Sequence, residues 1–96
     1  MSPINKKKLN QLRIKLDKVD NDLLKLIKKR SILVNEVLKV KIYKKEIIDK
    51  ARITYILKKI KKKSIKTKID PKITNRIWKN MIWSFIDYEK RNFKKK

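Results

Sequence analysis

Residues 9–40 read LNQLRIKLDKVDNDLLKLIKKRSILVNEVLKV, and their spacing decides the fold. Leu9, Leu12, Leu16, Val19, Leu23, Leu26, Arg30, Leu33, Val37 and Val40 follow at intervals of three and four without a break. That is a heptad seam, and it predicts one long helix from Pro3 to about Ile42. At 1.5 Å per residue such a helix runs roughly 50–60 Å, about twice the diameter of a compact domain of this size. One chain of 96 residues cannot cover it, whereas a second copy can. Helix length is therefore the first argument for a homodimer.

Beyond this stretch, Tyr43-Lys44-Lys45-Glu46 lacks apolar periodicity and reads as a connection. A second helix is expected from Ile47 to about Lys62, with Ile48, Arg52, Tyr55, Ile56 and Ile60 near one face. Lys61 to Ile69 is basic, contains Ser and Thr, and reads as a linker. Asp70-Pro71 is a start signal, Asp as N-cap and Pro at the first helical position. A third helix follows over about 71–92 through Ile73, Ile77, Trp78, Met81, Ile82, Phe85 and Tyr88, fraying into Lys94-Lys95-Lys96. The expected class is all-α, a single domain over residues 1–96 with one long helix and two shorter ones, forming a helical-bundle dimer.

The composition excludes a good deal. No cysteine means no disulfide, thiolate metal site or Cys nucleophile, and no histidine removes the commonest general base and neutral metal ligand. The absence of glycine rules out Gly-rich phosphate loops. The net charge of +22 has two readings. Clustered Lys and Arg suit a polyanion such as nucleic acid, while a lysine-, isoleucine- and asparagine-rich chain with one alanine also fits compositional drift on a solvated surface. Met1 to Lys8 is polar and basic with no apolar stretch behind it, so no targeting or membrane segment is expected and the default location is the cytoplasm.

Arg30 breaks the seam. A guanidinium there is costly unless an anion meets it, and it reads either as a register-setting ion pair or as part of a binding site. Arg13 lies beside the seam, Lys41 at its end, and Asp49 and Arg52 stand three apart on the second helix. Three of the five arginines, Arg13, Arg30 and Arg52, thus fall in this set, and arginine's planar fork suits bidentate grip of carboxylates. The pattern suggests a cage for a small dicarboxylate.

Leu9 through Arg30 is similar to the opening helix of type II chorismate mutases, whose pattern is L-R-x-x-I-D-x-I-D-x-x-L-L-x-L-L-x-x-R. The V-x-x-x-K that follows is matched by Val37 to Lys41, and D-x-x-R by Asp49 to Arg52. The family's last helix, with a D-P turn before it and a Gln or Glu near its end, is matched by Asp70-Pro71 and by Trp78 through Glu89. The resemblance covers nearly the whole chain, with a small length difference before Asp49.

The resemblance implies an intertwined homodimer that rearranges chorismate to prephenate, a step toward phenylalanine and tyrosine. It implies that Arg13 reaches into the partner's site to contact a substrate carboxylate, while Arg30 and Arg52 bind carboxylates from within the same chain. Lys41 would hydrogen-bond the ether oxygen and a carboxylate, and Asp49 would help hold the ring hydroxyl. Glu89 falls on the second donor to the ether oxygen, and Val37, Ile56, Ile82 and Ile86 would form apolar walls. Two positions depart from the pattern. Ile53 stands where many members have a Glu that contacts the ring hydroxyl, and a common serine one turn before the Gln/Glu position falls on Phe85, with Ser84 beside it. Relatives that cleave isochorismate to pyruvate and salicylate have closely similar sites, so that activity stays open as well.

The implied reaction suits this residue set. It is an intramolecular pericyclic rearrangement that needs no nucleophile, metal or redox cofactor. It needs a compact conformer held in place and donors aimed at the oxygen where negative charge builds. A Glu must carry its proton to donate there, so activity is expected to fall as pH rises and Glu89→Gln to flatten the profile. A surface salt bridge is the alternative role for Glu89. The helical spacing of Trp78, Trp83, Phe85 and Tyr88 points to core or dimer contacts rather than base-stacking platforms. A basic nucleic-acid-binding dimer and a plain coiled-coil module remain the rivals. The first predicts salt-sensitive duplex binding, the second no small ligand.

Overall fold

The computed structural model of the chain describes residues 2–94. Among them are three α-helices and no strand: α1 (Pro3–Val40), α2 (Lys50–Lys66) and α3 (Pro71–Asn92), with a short 3-10 turn over Lys44–Ile47. Met1, Lys95 and Lys96 lie outside the described residues, and with the two lysines goes the expected frayed end. The chain divides into two compact units, residues 1–33 and 34–96.

In the first unit α1 starts on a side-chain cap. The Asn5 N–H donates to Ser2 Oγ at 3.3 Å, and Pro3 takes the first helical position, where a missing N–H costs nothing. Six seam residues of this unit face water: Leu12, Leu16, Val19, Leu23, Leu26 and Leu33 are each half or more exposed.

The second unit holds the buried core, Leu38, Ile47, Ile82 and Ile86, with Ile48, Ile53, Ile56, Leu57 and Phe93 packed against it. At the end of α1 the buried side chain is Leu38, and Val34 and Asn35 on the same face are half-buried. The seam residues Val37 and Val40 stay exposed. The helix end thus presents two faces, one turned to its own chain's core and one, the seam, left apolar and wet.

α2 and α3 pack on one another, and a buried hydroxyl pair joins them. Ser64 Oγ donates to the Ile60 carbonyl at 2.7 Å and lies 2.7 Å from Thr74 Oγ1, so the two buried hydroxyls meet across the two helices.

The boundaries differ from the sequence expectation in three places, each for a local reason. α1 stops at Val40 rather than Ile42, because the Lys41 N–H turns back to the Leu38 carbonyl at 3.3 Å. The 3-10 turn follows, held by the Tyr43 N–H donating to Glu46 Oε1 at 3.0 Å. α2 begins at Lys50 rather than Ile47, because Asp49 caps it: its carboxylate accepts the Arg52 N–H at 3.0 Å. α2 then continues to Lys66 through what reads as a linker, its Ser64 and Thr67 hydroxyls bonding back to carbonyls four residues earlier.

The α2 terminus is a Schellman turn. The Ile69 N–H reaches the Ser64 carbonyl at 2.8 Å and the Lys68 N–H the Ile65 carbonyl at 3.2 Å, with Lys68 at φ 60°. In a chain without glycine a lysine takes this left-handed position, at a cost of roughly 1–2 kcal/mol. Two residues later Asp70 caps α3, accepting the Lys72 N–H at 2.9 Å, with Pro71 in the first turn as the sequence predicts. Among the described residues no helix is long and apolar enough to cross a membrane.

Candidate active site

Ile82, Ile86 and Glu89 follow at intervals of four and three and so share one face of α3. The two isoleucines belong to the core, and Glu89 beside them is 5% exposed. An ionised carboxylate withdrawn from water costs several kcal/mol unless a partner meets it. The partner is Lys41, just past the end of α1, whose Nζ donates to Glu89 Oε1 at 3.0 Å. The Lys41 side chain keeps 17% of its surface in water. A cationic donor and a carboxyl group thus converge on one sheltered point beside an apolar wall. Charge interactions there are stronger than on the open surface. The arrangement suits stabilising a developing negative charge on an oxygen that enters between them.

The neighbouring polar groups hold the frame. Asp49 spends its carboxylate on the α2 cap, and the guanidinium of Arg52 lies over the Tyr55 ring, 5.3 Å from its centroid. Tyr88 OH donates to Asn35 Oδ1 at 3.5 Å, a long bond between α3 and the end of α1.

The sequence profile described as chorismate mutase type II matches residues 12–90, from the second seam leucine to the residue after Glu89. The chain belongs to the chorismate mutase type II family. Comparison with curated proteins gives no match, and comparison with solved structures gives none either.

Within the family match, the structure brings together some of the expected residues. Lys41 and Glu89 are in direct contact, and Ile82 and Ile86 are buried on the Glu89 face, with Ile56 half-buried against the same core. Asp49 and Arg52 stand at the start of α2, both exposed, and Val37 is 48% exposed. Arg13 is exposed and Arg30 half-buried on α1, both in the first unit.

The two departures from the family pattern acquire a structural description. Ile53 is half-buried and packs on the core, as an aliphatic side chain should at that point of α2. Phe85 is half-buried, while Ser84 is exposed and donates its hydroxyl to the Asn80 carbonyl at 2.7 Å. Sequence reasoning missed Leu38 and Ile47, the core residues supplied from outside α2 and α3. The seam drew attention to Val37 and Val40, but Leu38 sits one position off the seam and faces the chain's own core. An apolar residue beside a heptad seam is the signal that could have found it.

Proposed function

We propose that this protein catalyses the intramolecular rearrangement of chorismate to prephenate, in the cytoplasm, on the way to phenylalanine and tyrosine. The observation that carries the reading is the sheltered Lys41–Glu89 contact at 3.0 Å inside a chain of this family. Lys41 donates to the ether oxygen of the substrate as its bond to carbon breaks, and Glu89, when it carries a proton, donates to the same oxygen. The two groups exchange their mutual hydrogen bond for bonds to the substrate. Each well-placed donor is worth about 3–4 kcal/mol of barrier, by analogy with the loss of an oxyanion-hole donor. Arg30 and Arg52 hold the substrate carboxylates, Asp49 the ring hydroxyl, and Val37, Ile56, Ile82 and Ile86 keep water away.

The working unit in this reading is an intertwined homodimer, with Arg13 of one copy entering the site of the other. Its support is the wet seam of α1, since each such side chain withdrawn from water contributes roughly 1.5–3 kcal/mol. The net charge of +22 favours capture of a dianionic substrate by steering, which makes kcat/KM fall as salt is added.

The test is loss of chorismate absorbance on adding purified protein, with Arg30→Ala prepared alongside. Turnover to prephenate, largely abolished in the variant, is the expected result. No turnover by a folded protein would overturn the reading. Mixing Arg13→Ala with Arg30→Ala subunits tests the shared site, because a mixed dimer then holds one intact site. Activity that fails to return on mixing places Arg13 in its own chain's site or outside any.

A further inference from the structure

The basic charge is not spread evenly. From Lys50 to Ile69 the chain carries nine cations, Lys50, Arg52, Lys58, Lys59, Lys61, Lys62, Lys63, Lys66 and Lys68, and no Asp or Glu. On α3, Lys72, Arg76 and Lys79 follow at intervals of four and three, which puts them on one face. Between the two helices runs an open groove of about 370 Å³, lined by Leu57, Lys58, Lys61, Pro71, Lys72 and Asn75. A second depression of about 410 Å³ over Lys72, Ile73, Asn75 and Arg76 shares Lys72 and Asn75 with it. Lys58, Lys61, Lys72 and Arg76 are all exposed, and none makes an ion pair among the described residues. No carboxylate lines either depression.

We infer that this α2–α3 groove is a docking surface for the phosphodiester backbone of a nucleic acid, separate from the candidate active site. A small dianion on open lysines gains little, because each contact at high dielectric is worth only about 1 kcal/mol. A polymer with regularly spaced phosphates gains at every contact, since each neutralised phosphate releases condensed counterions. Lysine, a hydrated point charge on a flexible stem, suits contacts that ignore sequence better than the fixed fork of arginine does. The lining also lacks the large aromatic anchors that carry most protein–protein affinity, which disfavours an acidic protein as the occupant. Binding is therefore expected to be salt-dependent and indifferent to sequence.

The experiment is fluorescence anisotropy of a labelled oligothymidylate titrated with full-length protein between about 50 and 200 mM salt. Two variants of equal net charge are compared. One carries Lys58→Gln, Lys61→Gln and Lys72→Gln in the groove, and the other Lys7→Gln, Lys15→Gln and Lys18→Gln on α1. The groove variant is expected to bind at least about tenfold more weakly, with a log K against log salt slope shallower by about 2, three lost phosphates at roughly 0.7 each. The α1 variant is expected to stay within about twofold of the parent in affinity, the three groove contacts being intact. Far-ultraviolet circular dichroism and chorismate turnover check that both remain folded, and turnover reports on the active site independently of oligonucleotide binding. Equal losses in the two variants, no loss in the groove variant, or no binding by the parent overturns the inference. So does polyglutamate that competes as well as the oligonucleotide at equal charge.

Discussion

Replacing Lys41 with Met removes the ion-pair partner of a carboxylate that has 6% of its side chain in water. At 3.0 Å and an effective dielectric near 20, the lost attraction is about 5.5 kcal/mol, part of it already offset by the desolvation of both ions. Truncating one member of a buried pair typically costs about 3–5 kcal/mol. We take about 3 for Lys41→Met, since the lysine itself is 17% exposed. The reverse change, Glu89→Leu, should cost less, about 1 kcal/mol, because a lysine on a flexible stem can carry its charge out to water. The double variant Lys41→Met/Glu89→Leu should return to within about 1 kcal/mol of the parent, since no charge is left stranded. Urea unfolding followed by circular dichroism, at one fixed protomer concentration, reads all four corners of the cycle. The asymmetry is the part tied to the structure. Equal costs for the two single changes, or additive costs in the double, would refute the reasoning and return the pair to the class of weak surface contacts.

Lys68→Gly should stabilise the protein by about 0.5–1 kcal/mol, the left-handed strain relieved less the entropy a glycine loses, read as a shift in urea midpoint. Asp70→Ala should cost about 1 kcal/mol by loss of the α3 cap in the same assay, and Asp70→Asn much less. Thr74→Val leaves Ser64 its bond to the Ile60 carbonyl but removes the cross-helix one, so a loss of about 1 kcal/mol is expected. Glu89→Gln places a neutral donor where the carboxyl stood, so its kcat should at least equal the parent's; a loss of about tenfold or more would remove Glu89 from the ether oxygen.

Much of the helix plan was legible because its signals are local. The three-four spacing from Leu9 to Val40 and the Asp70-Pro71 pair each act within one or two turns, and α1 and α3 start where these signals put them. What misled were residues with two local uses. Ser64 and Thr67 favour loops when their hydroxyls compete for the backbone, yet here they bond back to carbonyls and extend α2. Asp49 carries a chemical reading in the sequence, yet its carboxylate also caps α2 and so sets where the helix starts. Lys41 and Glu89 stand 48 residues apart, and no spacing rule pairs them; only the family pattern named both. Leu38 escaped notice because a helix with two apolar faces looks, in periodicity, like a helix with one broad face.

The hydroxyl pair of Ser64 and Thr74 bears on a different question, that of how α2 and α3 find one alignment. Ile53, Ile56, Leu57 and Ile60 offer near-interchangeable aliphatic knobs, and an interface of that kind tolerates sliding. Slip α3 by one turn, and the bond between the two hydroxyls is lost at about 1 kcal/mol, each keeping only its bond to a carbonyl of its own helix. Thr74 and Glu89 lie on the same helix, about 22 Å apart at 1.5 Å per residue. The same slip would carry Glu89 about 5.4 Å from Lys41. Two small side chains far from the chemistry thereby act as the index mark against which the carboxylate is set.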